Sequence, residues 1–89
     1  VQVFLASLEN RSQELAAACK NGDAASMVRI AHTLKGSSAQ FGAEKLSSLC
    51  QQVERLARMG HVEQIGALLQ KVEEAIGKVQ EYFSKNVQA

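Results

Sequence analysis

The chain has 89 residues, a formal net charge of +1, 46% apolar and 21% charged residues, and no proline. That length makes one domain burying a little over about 60% of its unfolded surface, enough for one core but not for a deep enclosed pocket as well. The scattered basic residues form no cationic nucleic-acid face. One tyrosine and three phenylalanines are too few for base-stacking platforms, and no apolar run approaches the roughly 18 residues that a membrane span needs.

Abundant Ala, Leu, Gln, Glu and Lys, with no proline to interrupt them, favour long helices. The first segment runs from about Val3 to Lys20, with Phe4, Leu8, Leu15 and Cys19 on one face and Leu5 and Ala18 flanking it. Asn21-Gly22-Asp23 breaks the pattern, because glycine suits the left-handed position after a helix and Asp23 is a good N-cap for the next. The second segment runs from about Ala24 to Phe41, its inward stripe marked by Met27, Ile30, Ala31, Leu34, Ser38 and Phe41, and Gly42 closes it. The third, about Ala43 to Met59, turns Leu46, Leu49, Cys50, Val53, Leu56 and Ala57 inward and stops at Gly60. The fourth, about Val62 to Ser84, carries Ile65, Leu68, Leu69, Val72, Ile76, Val79 and Phe83 on its stripe.

At 1.5 Å per residue these segments are roughly 25 to 35 Å long. Their connections are a few residues each, which forces consecutive helices to lie antiparallel. The expected fold is all-α: an antiparallel up-down-up-down four-helix bundle in a single domain over residues 1–89. Cys19 and Cys50 fall at apolar-periodic positions and read as small buried hydrophobes in a reducing compartment rather than as a disulfide. Two cysteines without clustered histidine do not make a zinc site. The chain begins at Val1 with no methionine and no signal peptide, so it is expected to be a piece of something longer.

The second segment carries the chemistry. Residues three and four apart share a helix face, so His32 shares one with Val28, Arg29, Lys35, Gly36 and Ala39, beside the inward stripe. Its ring is expected at the boundary of core and solvent. A mid-helix glycine costs about 1 kcal/mol relative to alanine, so Gly36 calls for a reason. Close approach of another molecule is the obvious one, because glycine leaves the helix surface flat beside the imidazole. Imidazole, with a reference pKa of about 6.5, is a competent nucleophile near neutral pH. A phosphoryl group added to it would carry close to two negative charges, which the Lys35 ammonium would offset. Phosphoryl transfer asks the protein mostly for positioning and charge neutralisation. A nucleophile, one cation and an open approach make a minimal acceptor, not a complete enzyme.

Ala31-His32-Thr33-Leu34-Lys35-Gly36, followed by Gly42-Ala43 and then Leu46, Leu49, Cys50 and Glu54, closely resembles the histidine phosphotransfer (HPt) family. The match in residue type and spacing extends from Phe4 to Phe83, with its specific part between Ala31 and Glu54. The resemblance implies a four-helix bundle whose exposed histidine takes a phosphoryl group from one receiver-domain aspartate and hands it to another. On that pattern His32 is phosphorylated on Nε2, Lys35 supplies charge and Gly36 gives the receiver room. Glu54 falls where the family often has a polar side chain holding the ring's other nitrogen. A carboxylate accepting from Nδ1–H would fix the tautomer, with Gln51 and Gln52 as alternatives if the register differs. Many members carry an extra short helix before the bundle; this chain starts almost directly in its first segment, so such a helix is either missing or represented by residues 1–5.

The expected function is therefore that of a phosphorelay intermediate. It would not be an autonomous enzyme, since no glycine-rich nucleotide loop or cation-binding acidic set is present. No cofactor or metal is expected on this chain, any Mg²⁺ being held by the partner receiver. The implied partners are receiver domains of response regulators, of a hybrid kinase, or of both. The implied setting is a bacterial cytoplasm, as the C-terminal module of a hybrid sensor kinase, and the isolated domain is expected to be a monomer. A non-catalytic helical adaptor is the alternative, but it explains the bundle and not the Lys-Gly turn beside a histidine. A metal-binding bundle would need Glu-x-x-His pairs, and neither His32 nor His61 has a glutamate three residues before it. His61, after Gly60, reads as a solvated turn residue, and Arg29 and Arg55 as solvated charges or partner contacts.

Overall fold

Each turn between helices is built by the same backbone device. At the end of the second helix Gly42 takes φ +77°, Gly42 N–H bonds the Ala39 carbonyl at 3.1 Å and Ala43 N–H bonds the Ser38 carbonyl at 2.8 Å. This is the Schellman pattern, and it needs a residue without Cβ strain at the left-handed position. Gly22 and Gly60 repeat it, with Asp23 N–H to the Ala18 carbonyl and His61 N–H to the Leu56 carbonyl, both at 2.9 Å. Asp23 then caps the following helix, accepting from Ser26 N–H at 3.2 Å and from Ser26 Oγ at 2.7 Å. Those two bonds hold the Asp23 carboxyl below its ordinary value.

The computed structural model describes the backbone of residues 2–87 and the side chains of residues 5–83 and 85. Among them are four α-helices and no strand: α1 (Gln2–Lys20), α2 (Ala24–Gln40), α3 (Glu44–Arg58) and α4 (Val62–Val87). Residues 2–5 belong to α1 itself rather than to a separate short helix. α4 has 26 residues and continues past Ser84, where the sequence reading ended it. The helices pack as a ring in chain order, α1 closing on α4, in an all-helical bundle of 44 × 19 × 19 Å. α2 and α3 share the most extensive interface.

Leu8 and Leu15 of α1, Met27 and Leu34 of α2, Leu46 and Val53 of α3, and Ile65 and Val72 of α4 are essentially inaccessible and form the axis of the core. Each such side chain contributes about 1.5–3 kcal/mol through burial. Two stripe assignments are corrected. Cys19 is only half-buried, and Ala18 takes the inward place beside it. Phe41 is not a core residue of α2: the helix ends one residue earlier, and Phe41 sits in the turn, 42% exposed, in edge-to-face contact with Phe83 at 6.4 Å. The Phe4 side chain, expected on the α1 stripe, lies outside the described residues.

Candidate functional site

The rotation of α2 is fixed by Ala31 and Leu34, both fully buried, and this turns His32 outward with a side chain 65% exposed. On α3, Val53 is buried at the core and carries the next residue, Glu54, to the seam with α2. Glu54 is the one carboxylate among the buried residues, at 7% exposure. Burying a carboxylate costs free energy unless it is paired, and Glu54 is paired on every side. Arg58, one turn along α3, donates from Nη2 at 2.8 Å and from Nε at 3.2 Å to Oε2. Lys35 Nζ lies 3.2 Å from Oε1, as an ion pair rather than an aligned hydrogen bond. His32 Nδ1 lies 3.4 Å from Oε2.

The Arg58 hydrogen bonds, helped by Lys35 and His32, hold the Glu54 carboxyl down at about 2 against burial, which pushes it up. Glu54 is therefore an anion at any physiological pH. The Nδ1 edge of the ring faces that anion. The 3.4 Å separation is longer than a formed hydrogen bond, as is common at sites that tighten only when a second reactant arrives.

A cross-helix bond steadies this turn. Ser47 Oγ on α3 donates to the Lys35 carbonyl at 3.2 Å, tying the backbone of the Lys35–Gly36 turn to its neighbour. At Gly36 a Cβ would meet nothing within 4 Å, so the glycine is not required by packing inside the bundle. What it leaves is open surface beside the histidine.

The structure thus brings together His32, Lys35 and Glu54, with Gly36 beside them. Gln51 and Gln52 are exposed, and among the described residues neither bonds the ring; Glu54 is the side chain beside it. Lys35 differs from its sequence reading in one respect. Its ammonium already spends its charge on Glu54 rather than standing free beside the imidazole. Arg58 was not foreseen in the sequence, although its i,i+4 spacing from Glu54 is the spacing of helical ion pairs. His61 is exposed at the α3–α4 turn. Among the described residues no group of three His, Cys, Asp or Glu side chains is placed to hold a metal ion, and no helix is long and apolar enough to cross a membrane.

A bundle that exposes one imidazole against a carboxylate on the adjacent helix defines a phosphotransfer class, and the chain belongs to the Hpt domain family, which matches residues 1–82. Its fold is closely similar to the crystal structure of histidine-containing phosphotransfer protein B (HptB) from Pseudomonas aeruginosa PAO1. The TM-score is 0.95 and the identity 32%, over 98% of this chain and 76% of that one. Comparison with curated proteins returns no match. The role that follows is histidine phosphotransfer in phosphorelay signalling.

Proposed function

We propose that His32 is the phosphoryl carrier, taking the group from a receiver-domain aspartate and passing it to a response-regulator aspartate. The observation that carries this reading is the exposed ring whose Nδ1 faces the Glu54 carboxylate. With the proton on Nδ1, Nε2 holds the free electron pair on the open side of the ring. In the forward step Nε2 attacks phosphorus, the P–O bond of the acyl phosphate breaks, and the aspartate leaves with the electron pair. The product carries the phosphoryl group on Nε2 and keeps its proton on Nδ1.

Lys35, one turn along α2 from His32, supplies a cation for the added charge if it swings from Glu54 Oε1 to a phosphoryl oxygen. Gly36 leaves the approach open. The chain itself needs no cofactor on this reading; Mg²⁺ belongs to the acidic site of the receiver. The setting we propose is cytoplasmic, with the domain monomeric when isolated and joined in the cell to a larger hybrid sensor kinase.

The test is to mix the domain with a phosphorylated receiver and look for acid-labile label on the domain. Label is expected on the parent and not on His32→Gln. A parent that never takes label, or a His32→Gln variant that does, overturns the assignment.

A further inference from the structure

The residue beside Nδ1 is a carboxylate, and the surroundings keep it ionised. Glu54 is buried, yet it receives two hydrogen bonds from Arg58 and an ion pair from Lys35. Its oxygen Oε2 is shared between Arg58 and the ring. The charged groups facing this point are Lys35 on α2 and Glu54, Arg55 and Arg58 on α3, which line one shallow cleft. No charged group of α1 or α4 forms an ion pair with any of them among the described residues.

Transfer out of the domain breaks the bond between Nε2 and phosphorus. The electron pair of that bond returns to Nε2 while phosphorus is taken by a carboxylate oxygen of the acceptor. If Nδ1 bears a proton, neutral imidazole leaves. If it does not, an imidazolate anion must leave, which is a far poorer leaving group. A fixed negative charge facing Nδ1 favours the protonated form.

We propose that Glu54 is a positioning residue for the outward step: acting through Nδ1, it keeps phosphorylated His32 protonated on its far nitrogen, so that the phosphoryl group departs from a neutral imidazole. An uncharged amide in the same place would accept the same proton but supply no charge to hold it. The carboxylate therefore extends donation toward alkaline pH. Arg58 works against this on Oε2, since it competes for the same oxygen, while keeping that oxygen in place. The inference rests on His32 being the carrier.

The test begins by phosphorylating the domain with phosphoramidate and confirming that the label is absent from His32→Gln. Failure there removes the carrier assignment and this inference with it, whereas label on His32 with unmoved midpoints removes this inference alone. On labelled protein, ¹⁵N NMR follows the titration of the phosphohistidine Nδ1, and transfer to a receiver is timed from pH 6 to 10. Glu54→Gln is expected to lower the Nδ1 midpoint by about one pH unit, so that transfer falls about tenfold below the parent on the alkaline side. Arg58→Gln, at a side chain 62% exposed and so tolerant of change, is expected to raise the midpoint. A residue that merely props the helices together would not move the two midpoints in opposite directions. Coincident midpoints for the parent and either folded variant overturn the proposal.

Discussion

Arg58 donates two hydrogen bonds, at 2.8 and 3.2 Å, to the same Glu54 oxygen that faces His32 Nδ1 at 3.4 Å. The carboxylate is thus held by an exposed guanidinium and faces an exposed ring through the same oxygen. A buried carboxylate without that guanidinium would titrate upward, because burial penalises the charged form.

Replacing Arg58 with alanine therefore releases the largest restraint on the Glu54 carboxyl. Its midpoint is expected to climb from about 2 toward the ordinary 4.5. Side-chain ¹³C NMR of Glu54 across pH 1.5 to 6 reads this directly. A carboxyl that still titrates near 2 in Arg58→Ala places the restraint on Lys35 instead.

The same depression makes a statement about acid stability. Because the folded carboxyl titrates at about 2, below its ordinary 4.5, Glu54 contributes stability that is fully present above about pH 4.5. That contribution is lost as pH falls toward 2. Glu54→Gln should accordingly unfold at lower urea than the parent at pH 7, and the gap should close between pH 4.5 and 2. A gap of constant width across that range would assign the loss to shape rather than charge. Asp23, depressed by its Ser26 bonds, titrates in both proteins and cancels from the difference.

The two cysteines should separate cleanly by reactivity. Cys50 is fully buried, and burial pushes its thiol up to about 12, so almost no thiolate exists at pH 8. Cys19 is half-buried and free. One equivalent of Ellman's reagent should react in the native protein and two in denaturant. A native reaction of two equivalents means that the core around Cys50 opens on the time scale of the assay.

The bundle itself was readable because its signals are local and redundant. Leu8 and Leu15, Met27 and Leu34, Leu46 and Val53, and Ile65 and Val72 recur at helical spacing within their helices, and each turn is announced by a glycine shortly after the last apolar residue. Phe41 was misread for a physical reason: it keeps the period of α2, but the Schellman turn ends the helix at Gln40 and swings its ring toward Phe83. The site was only half legible. His32, Lys35 and Gly36 lie on one helix, where spacing alone places them together. Glu54 comes from another helix, and its burial depends on how deeply α3 packs on α2, which periodicity does not encode. Arg58 was written in the sequence as an i,i+4 partner, but nothing marked that pair as different from the exposed Glu81–Lys85 pair until Glu54 proved to be buried.

Gly36 offers the sharpest separation of fold from function. A Cβ at this position meets nothing within 4 Å, and alanine is the better helix former by about 1 kcal/mol. Gly36→Ala should therefore raise the melting temperature by about 4–8 °C, the shift that such a free energy produces in a domain of this size. If the glycine is present only to let a receiver close on the imidazole, that gain in stability comes with slower transfer. Gly36→Glu should make the point more strongly. It keeps the fold, since its side chain has open space, but it places a carboxylate across the approach to His32, beside where a negative phosphoryl group must pass. Displacing the reacting groups by about 1 Å costs on the order of a hundredfold in rate, and transfer to this variant should fall by at least that much. Circular dichroism and rapid-quench phosphotransfer on the same preparations separate the two quantities. Parental transfer rates in both variants would leave the glycine without a functional reason, and the open surface beside His32 would then be no more than a gap in the side chains of α2.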